Sequence, residues 1–406
     1  MLSYQYTARN PATGEQVKAT VEADSEAAAA KLVSGQGLVP TDIKLGSQSG
    51  LMGKFGGRVP AKDRVLFSRQ LSTLINAGLP LLQALRSVSQ QTVSKPLKVV
   101  LSQVIGNVEG GSTLSAAMGK HPRVFNQVYV SLIAAGETSG TLDAALERLA
   151  IQQEKEADLN AKIRGAMTYP IIVLVVMGGV VGFMVVKVLP QVKTLYSGIS
   201  GAKLPFITTA LLAFSDFVIK FWWVMLVVLV VLAFFTTRWA RTGPGKEVVD
   251  KFKMKAWPIG HLFMKVYMAR FARTGSTLVA SGVPLLQMLN ITATAVNNVH
   301  IYRSIQRAIE KVKGGKSLAD SIENDTNFLP LVPSMLRIGE QSGAIEQMMT
   351  KVADYYEKEV DNEVANISSI IEPLMMVILG VVAFVIVAAV LLPIYGLAGN
   401  SSFTGS

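Results

Sequence analysis

The 406-residue sequence contains no cysteine. Disulfides, thiol nucleophiles and cysteine-ligated metals are therefore excluded. Histidine is nearly as scarce. His121, His261 and His300 lie far apart, so no metal-ligand spacing exists and no Ser/His/Asp set can be argued. Charge is thin as well, at 17% of residues, and the shortfall is in acids: 28 Asp and Glu against 39 Lys and Arg, a formal net charge of +11. The opening stretch MLSYQYTARN has no apolar core, so no signal peptide is expected there.

What is present in quantity is apolar sequence, 50% of all residues. Three runs are long enough, at about 20 residues, to cross a bilayer. They are Tyr169 to Pro190, Phe217 to Phe235 and Pro373 to Pro393. Lys187 and Lys220 lie near span ends, where a long stem reaches the headgroups, and Trp222 and Trp223 suit an interfacial belt. Of the basic residues, 18 precede the first run and 17 lie between the second and third. Only Lys187, Lys193, Lys203 and Lys220 lie in or near the first outer connection, and none follows Pro373. The positive-inside rule then predicts a cytoplasmic N-terminus and a cytoplasmic 236–370 block, with 191–216 and the C-terminal tail outside. The excess positive charge is split between two blocks and carries no stacking-aromatic pattern, so nucleic acid is not the expected partner. Anionic lipid or an acidic cytoplasmic partner fits it better.

Residues 1–45 read as a small α+β unit. LSYQYTA and QVKATVEA are strands around an NPATGE turn, DSEAAAAKLVSGQG is a helix capped by Asp24 or Ser25, and LVPTDIKL is a third strand. The Gly/Ser-rich stretch 46–60 reads as a linker.

Beyond it the chain repeats itself. FSRQLSTLINAGLPLLQ at 67–83 matches FARTGSTLVASGVPLLQ at 271–287, with ten of seventeen positions identical. EGGSTLSAAM at 109–118 answers KGGKSLADSI at 313–322. One deletion later, AAGETSG at 134–140 answers RIGEQSG at 337–343, Pro170 answers Pro373, and Pro190 answers Pro393. The repeat therefore covers a wet domain and the span that follows it. Leu97, Leu101, Val104, Ile105 and Val108 form one helical apolar face, and Ile301, Ile305, Ala308, Ile309 and Val312 repeat it. The expected organisation is a helical bundle at 61–168, spans at 169–190 and 217–235, a loop at 191–216, a second bundle at 236–370, a span at 371–393 and a tail at 394–406. The fold class is mainly α: a polytopic membrane protein with three transmembrane helices, two homologous helical bundles and the N-terminal α+β unit.

The duplicated residues are Arg69, Gly78, Pro80, Gly136, Glu137, Ser139 and Gly140 in the first copy. Arg273, Gly282, Pro284, Gly339, Glu340, Ser342 and Gly343 are their echoes. Gly78-Leu-Pro80 and Gly282-Val-Pro284 punctuate adjacent helices. Gly-Glu-x-Ser-Gly reads as a helix–turn–helix corner whose two glycines supply backbone freedom. A turn does not itself need the glutamates, so Arg69 is expected to pair with Glu137, and Arg273 with Glu340. Partner contact or an ion site is the alternative. Catalysis is not expected there, because no histidine or second acid accompanies either copy. The GGKS at 314–317 lacks the leading glycine and the preceding strand of a phosphate-binding loop, and reads as a turn with a helix cap at Ser317. Tyr169, Pro170, Glu372 and Pro373 mark the mouths of the first and third spans. Glu372 either faces water and a neighbouring lysine, or contacts another membrane helix or a sister subunit.

FSRQLSTLINAGLPLLQAL, AAGETSGTLDAALERLA, AMTYPIIV and LPFITTALL, with their echoes, resemble the inner-membrane platform family of type IV pilus (PilC) and type II secretion (GspF) machines. The resemblance runs from Tyr4 to Leu397, and QQEKEADLNAKIRGAMTYP looks nearer to the pilus members. It implies a bacterial inner-membrane protein that is not an enzyme and needs no cofactor. It also implies an oligomer that couples a cytoplasmic hexameric ATPase to the insertion or extraction of pilin helices, alongside other inner-membrane pilus components. A type II secretion platform is the alternative within the family. A secondary transporter is the alternative outside it, since duplicated halves are common among transporters. Against that, the spans are few and most of the duplicated sequence is soluble. A membrane-tethered signalling scaffold is a further rival.

Overall fold

The computed structural model describes residues 2–9, 16–23, 25–35, 37–45, 59–188, 190, 191, 194, 206–240, 242–256 and 259–401. The NPATGE turn, Asp24, positions 46–58 of the expected linker, Lys193, Lys203 and residues 402–406 lie outside that set.

The N-terminal strands are β1 (Leu2–Arg9), β2 (Gln16–Ala23) and β3 (Val39–Leu45), with helix α1 (Glu26–Gly35) between β2 and β3. The sheet is antiparallel in the order β2-β1-β3, with Tyr4 opposite both Val21 and Leu45. Strand alternation sends Tyr4, Tyr6 and Ala8 to one face, where Ala29 and Val33, one helical turn apart on α1, bury against them. Of the two expected caps, Ser25 is the one described: its Oγ accepts the Ala28 N–H at 3.1 Å.

The first bundle comprises α2 (Ala61–Asn76), α3 (Leu81–Gln91), α4 (Lys95–Glu109), α5 (Leu114–Gly119), α6 (Gln127–Ser139) and the start of α7 (Leu142–Phe183). Five further bounds, after α8 (Phe206–Trp239) and α9 (Gly243–Lys255), repeat the plan. They are α10 (Gly260–Ala280), α11 (Leu285–Val296), α12 (Val299–Lys313), α13 (Leu318–Ile322) and α14 (Leu331–Ser342), followed by α15 (Ile345–Ser401). Pro80 and Pro284 stand at the N-caps of α3 and α11 with φ of −56° in both. Four of the five periodic apolar positions are buried in each of α4 and α12. Burying such a side chain contributes about 1.5–3 kcal/mol, and Phe67, Leu71, Leu85, Leu101 and Leu132 in the first bundle are all at most 1% exposed.

Two compact units result. One holds Met1–Leu159 with Tyr267–Tyr356, and the other Asn160–Val266 with Glu357–Ser406. Helix runs past the limits expected for the second and third spans. Phe206–Asp216, expected as loop, is helical, and so is 394–401 of the expected tail. Hydropathy marks where a helix turns apolar, but the backbone hydrogen-bond ladder continues through polar flanks unless something breaks it. Three helices are long and apolar enough to cross a membrane, and their apolar windows are almost wholly exposed. After Phe183 the first widens into a π-turn, Met184–Val188, which carries the exposed Lys187. There the Ser215 hydroxyl donates to the Val185 carbonyl at 2.5 Å, answering a backbone group that the irregular turn leaves available.

Candidate functional site

The six-residue α5 and five-residue α13 start at the Gly-Gly turns, and a helix start exposes four N–H donors. In the first copy Glu137, from α6, receives the first two. Its Oε1 accepts the Leu114 N–H at 2.5 Å, and its Oε2 accepts the Ser115 N–H at 3.1 Å as well as the Ser115 hydroxyl. Thr113 Oγ1 accepts the Ala116 N–H at 3.2 Å, and the Ala117 N–H closes on the Thr113 carbonyl. The second copy repeats this bond for bond along the backbone. Glu340 accepts the Leu318 and Ala319 N–H groups at 2.6 and 3.0 Å, and Ser317 Oγ accepts that of Asp320 at 3.0 Å. The duplicated glutamate is thus the acceptor for a helix start some 22 residues upstream, and the expected cap at Ser317 forms.

The pairings expected of Glu137 with Arg69 and of Glu340 with Arg273 do not form. Both carboxylate oxygens of each glutamate are taken by donors that have no intrahelical partner, and the arginines face the following helix instead. Arg69 holds Glu154 through Nε and Nη2, both at 2.6 Å, and Glu147 through Nη1 at 2.7 Å. Glu147 and Glu154 lie two helical turns apart on α7, so they share a face. The Ser72 hydroxyl and the Arg69 guanidinium hold the Glu147 carboxyl below the usual carboxylate range, and the Arg69 hydrogen bonds do the same for Glu154. Arg69 is raised in turn by Glu154 and Glu147. Arg273 pairs with Asp354 of α15, which aligns with Ile151, between the positions equivalent to Glu147 and Glu154. Glu147 and Glu154 went unread in the sequence, although their seven-residue spacing on a helix facing α2 was a usable signal.

The two glycines of each corner do different work. A Cβ on Gly136 would lie 2.4 Å from the Ala145 Cβ, and one on Gly339 would lie 2.9 Å from the Ile345 Cα. These glycines let consecutive helices touch, and neither supplies backbone freedom. Gly140 and Gly343 do supply it, with φ of 72° and 70° at the helix C-caps. Ser139 and Ser342 bond back to the carbonyls of Ala135 and Ile338 in their own helices. Gly78 and Gly282 also have positive φ, leading into Pro80 and Pro284.

Within the same unit the two bundles meet at a polar seam. The buried Gln152 of α7 donates Nε2 to Thr274 Oγ1 at 3.2 Å and accepts from Thr277 Oγ1 at 3.2 Å, both on α10. Arg148 adds a bond to the Ala280 carbonyl at 2.6 Å. In the other unit, Pro170 and Pro373 sit inside continuous helices, and Tyr169 and Glu372 are exposed. An open, wholly apolar groove of about 450 Å³ separates α7 from α15 there. Its walls are repeat-equivalent: Val176 faces the groove with Leu379, Val180 with Ala383, and Met184 with Val387.

The family model described as type II secretion system protein F matches the chain twice, at residues 67–190 and 271–393. The model of that family's N-terminal domain matches residues 1–44. The two matched ranges are the two copies of the repeat. A type IV pilus assembly protein, PilC, of Thermus thermophilus is 40% identical over 98% of this chain and 99% of its own length. PilC of Pseudomonas aeruginosa is 35% identical over 90% and 97%. A type II secretion system protein F of Pseudomonas aeruginosa is 34% identical over 98% and 99%.

Proposed function

The chain belongs to the type II secretion system protein F family, and from that membership we propose that it is the inner-membrane assembly platform of a type IV pilus machine. The observation that carries the mechanism is structural. In each copy of the repeat, the last bundle helix runs on as one helix into an apolar window, α7 in the first copy and α15 in the second. Each carries one proline at the junction, Pro170 or Pro373, which removes a single ladder bond, and on either side of it the helix is continuous. Displacement of a bundle by a cytoplasmic hexameric ATPase therefore reaches the membrane along α7 or α15. The chain contributes no chemistry of its own to this step: nucleotide hydrolysis belongs to the ATPase. The first bundle and the N-terminal unit face the ATPase. The apolar groove between α7 and α15 receives the pilin membrane helix, whose aliphatic surface it matches in character. The N-terminus and both bundles lie in the cytoplasm, with the C-terminus outside, and the platform works as a homo-oligomer among other inner-membrane pilus components.

Deletion of the coding region tests the assignment. Surface pili are lost while secretion of exoproteins is unchanged. Loss of secretion with pili intact overturns the pilus assignment in favour of the secretion platform. Crosslinking in intact machines tests the mechanism: residues 61–159 join the ATPase, and positions 176 and 379 join pilin. Crosslinks that place 61–159 away from the ATPase remove the lever.

A further inference from the structure

Helix α9 follows the second membrane helix after a gap of three residues and folds hard against its end. A Cβ on Gly245 would lie 1.9 Å from the Trp239 carbonyl oxygen, so only glycine allows the approach. The rest of α9 is amphipathic in an unusual sense. Its exposed stripe is Val248, Lys251, Phe252 and Lys255, at i, i+3, i+4 and i+7. Val248 is 54% and Phe252 68% exposed, although both are apolar. Among the described residues no ion pair is recorded for Lys251 or Lys255. The end of α8 carries the same mixture: Trp239 is 49% exposed, and the Arg238 guanidinium lies over the Phe234 ring, 5.8 Å from its centre.

We propose that α9 is an interfacial helix, laid on the leaflet from which α8 emerges, with Val248 and Phe252 inserted among the acyl chains and Lys251 and Lys255 on anionic phospholipid headgroups. Three observations select lipid as the occupant. The helix starts within four residues of the membrane exit, which holds its first turn at the headgroup level and brings the stripe within reach of the leaflet. The stripe alternates apolar and cationic residues, which suits a surface with anionic phosphates above hydrocarbon and leaves a protein hydrophobic face poorly matched. An aromatic and basic band at the end of α8 continues the stripe at the same level. Lysine stems of four carbons let the ammonium groups reach the phosphates while the backbone lies lower. The platform is thereby anchored in one leaflet at the point where the chain returns from its second span.

The absence of cysteine provides the test. Phe252→Cys and, separately, Val248→Cys in the full chain are spin-labelled, and the protein is placed in nanodiscs with about one third anionic phospholipid or with neutral phosphatidylcholine alone. Val93→Cys, at a site 94% exposed, serves as the aqueous control. In anionic nanodiscs the labels at 248 and 252 are open to oxygen and closed to a nickel chelate, at a depth of about 5–10 Å, while the label at 93 is open to nickel. Neutral lipid, or Lys251→Glu with Lys255→Glu in the Phe252→Cys background, weakens the interfacial partition by about 30-fold and returns the label to water. Nickel access at both 248 and 252 in anionic nanodiscs overturns the proposal. So does a depth that is the same in neutral and anionic lipid. Shielding from both reagents that persists in detergent micelles without phospholipid also overturns it, because that result assigns the stripe to a protein contact.

Discussion

Replacing Glu137 by glutamine removes one negative charge and one acceptor oxygen from the start of α5 and leaves the side-chain shape almost unchanged. Hydrogen bonds to a charged group contribute about 1.5–3 kcal/mol each, and Glu137 accepts two from the backbone, at 2.5 and 3.1 Å. The glutamate is only partly buried, so water recovers a share of the loss. Glutamine also keeps one oxygen for one N–H. The net cost is about 1–2 kcal/mol, in line with losses at helix caps. That cost is local to α5, so amide hydrogen exchange on the full chain is the suitable assay. The segment 114–119 exchanges about 5- to 30-fold faster in Glu137→Gln than in wild type, because 1.4 kcal/mol is a factor of ten. Glu340→Gln does the same at 318–322. Arg69→Ala shares no recorded partner with Glu137, so the two substitutions add to within about 0.5 kcal/mol. Unchanged exchange at 114–119 refutes the capping argument. A coupling above about 1 kcal/mol between Arg69 and Glu137 refutes it too, and restores the ion pair that the sequence suggested.

Gly136→Ala and Gly339→Ala each force α6 from α7, or α14 from α15, and lower thermal stability by more than about 2 kcal/mol, whereas Gly140→Ala costs only about 1 kcal/mol of backbone strain; thermal melts of the detergent-solubilised chain rank them. Glu147 and Glu154 have folded pKa values below the ordinary 4.5. Their contribution is therefore complete above that value and is lost as pH falls through the folded pKa. A melting temperature that drops below pH 4.5 in wild type, and drops less in Arg69→Met, is the expected pattern, modest in size because both carboxylates are more than a third exposed. Ala161→Pro interrupts α7 between bundle and membrane at a cost of about 3 kcal/mol; it abolishes piliation while the chain still inserts in the membrane, as scored by fractionation.

The spans and the repeat were legible because both are written in long patterns: uninterrupted apolar runs, and identities at a constant spacing. The bundles followed from the period of Leu97 to Val108 and its echo. The corner was legible as a corner but not in its chemistry. Charge complementarity suggested an arginine for each glutamate, while the stronger demand came from backbone donors that carry no sequence letter. The N–H groups of Leu114 and Leu318 become visible as a need only once a helix is known to start there. Gly136 and Gly339 were misread for a similar reason. A glycine required by a neighbouring helix looks the same in sequence as one required by its own φ. The start of α8 and the end of α15 were missed because hydropathy has no sensitivity to a helix that continues beyond its apolar run.

The seam at Gln152 has a consequence in terms of symmetry. Two copies of one fold can meet through the same patch, closing the pair about a two-fold axis, or through two different patches. Here the first copy offers α7, through Gln152, and the second offers α10, through Thr274 and Thr277. The residue equivalent to Gln152 in the second copy is Tyr355, and it is 49% exposed. The first copy's counterparts of Thr274 and Thr277 are Gln70 and Thr73, beside Leu66, which is 53% exposed. The contact is heterologous, so the duplication leaves one unused copy of each patch, and internal pairing within one chain does not close it.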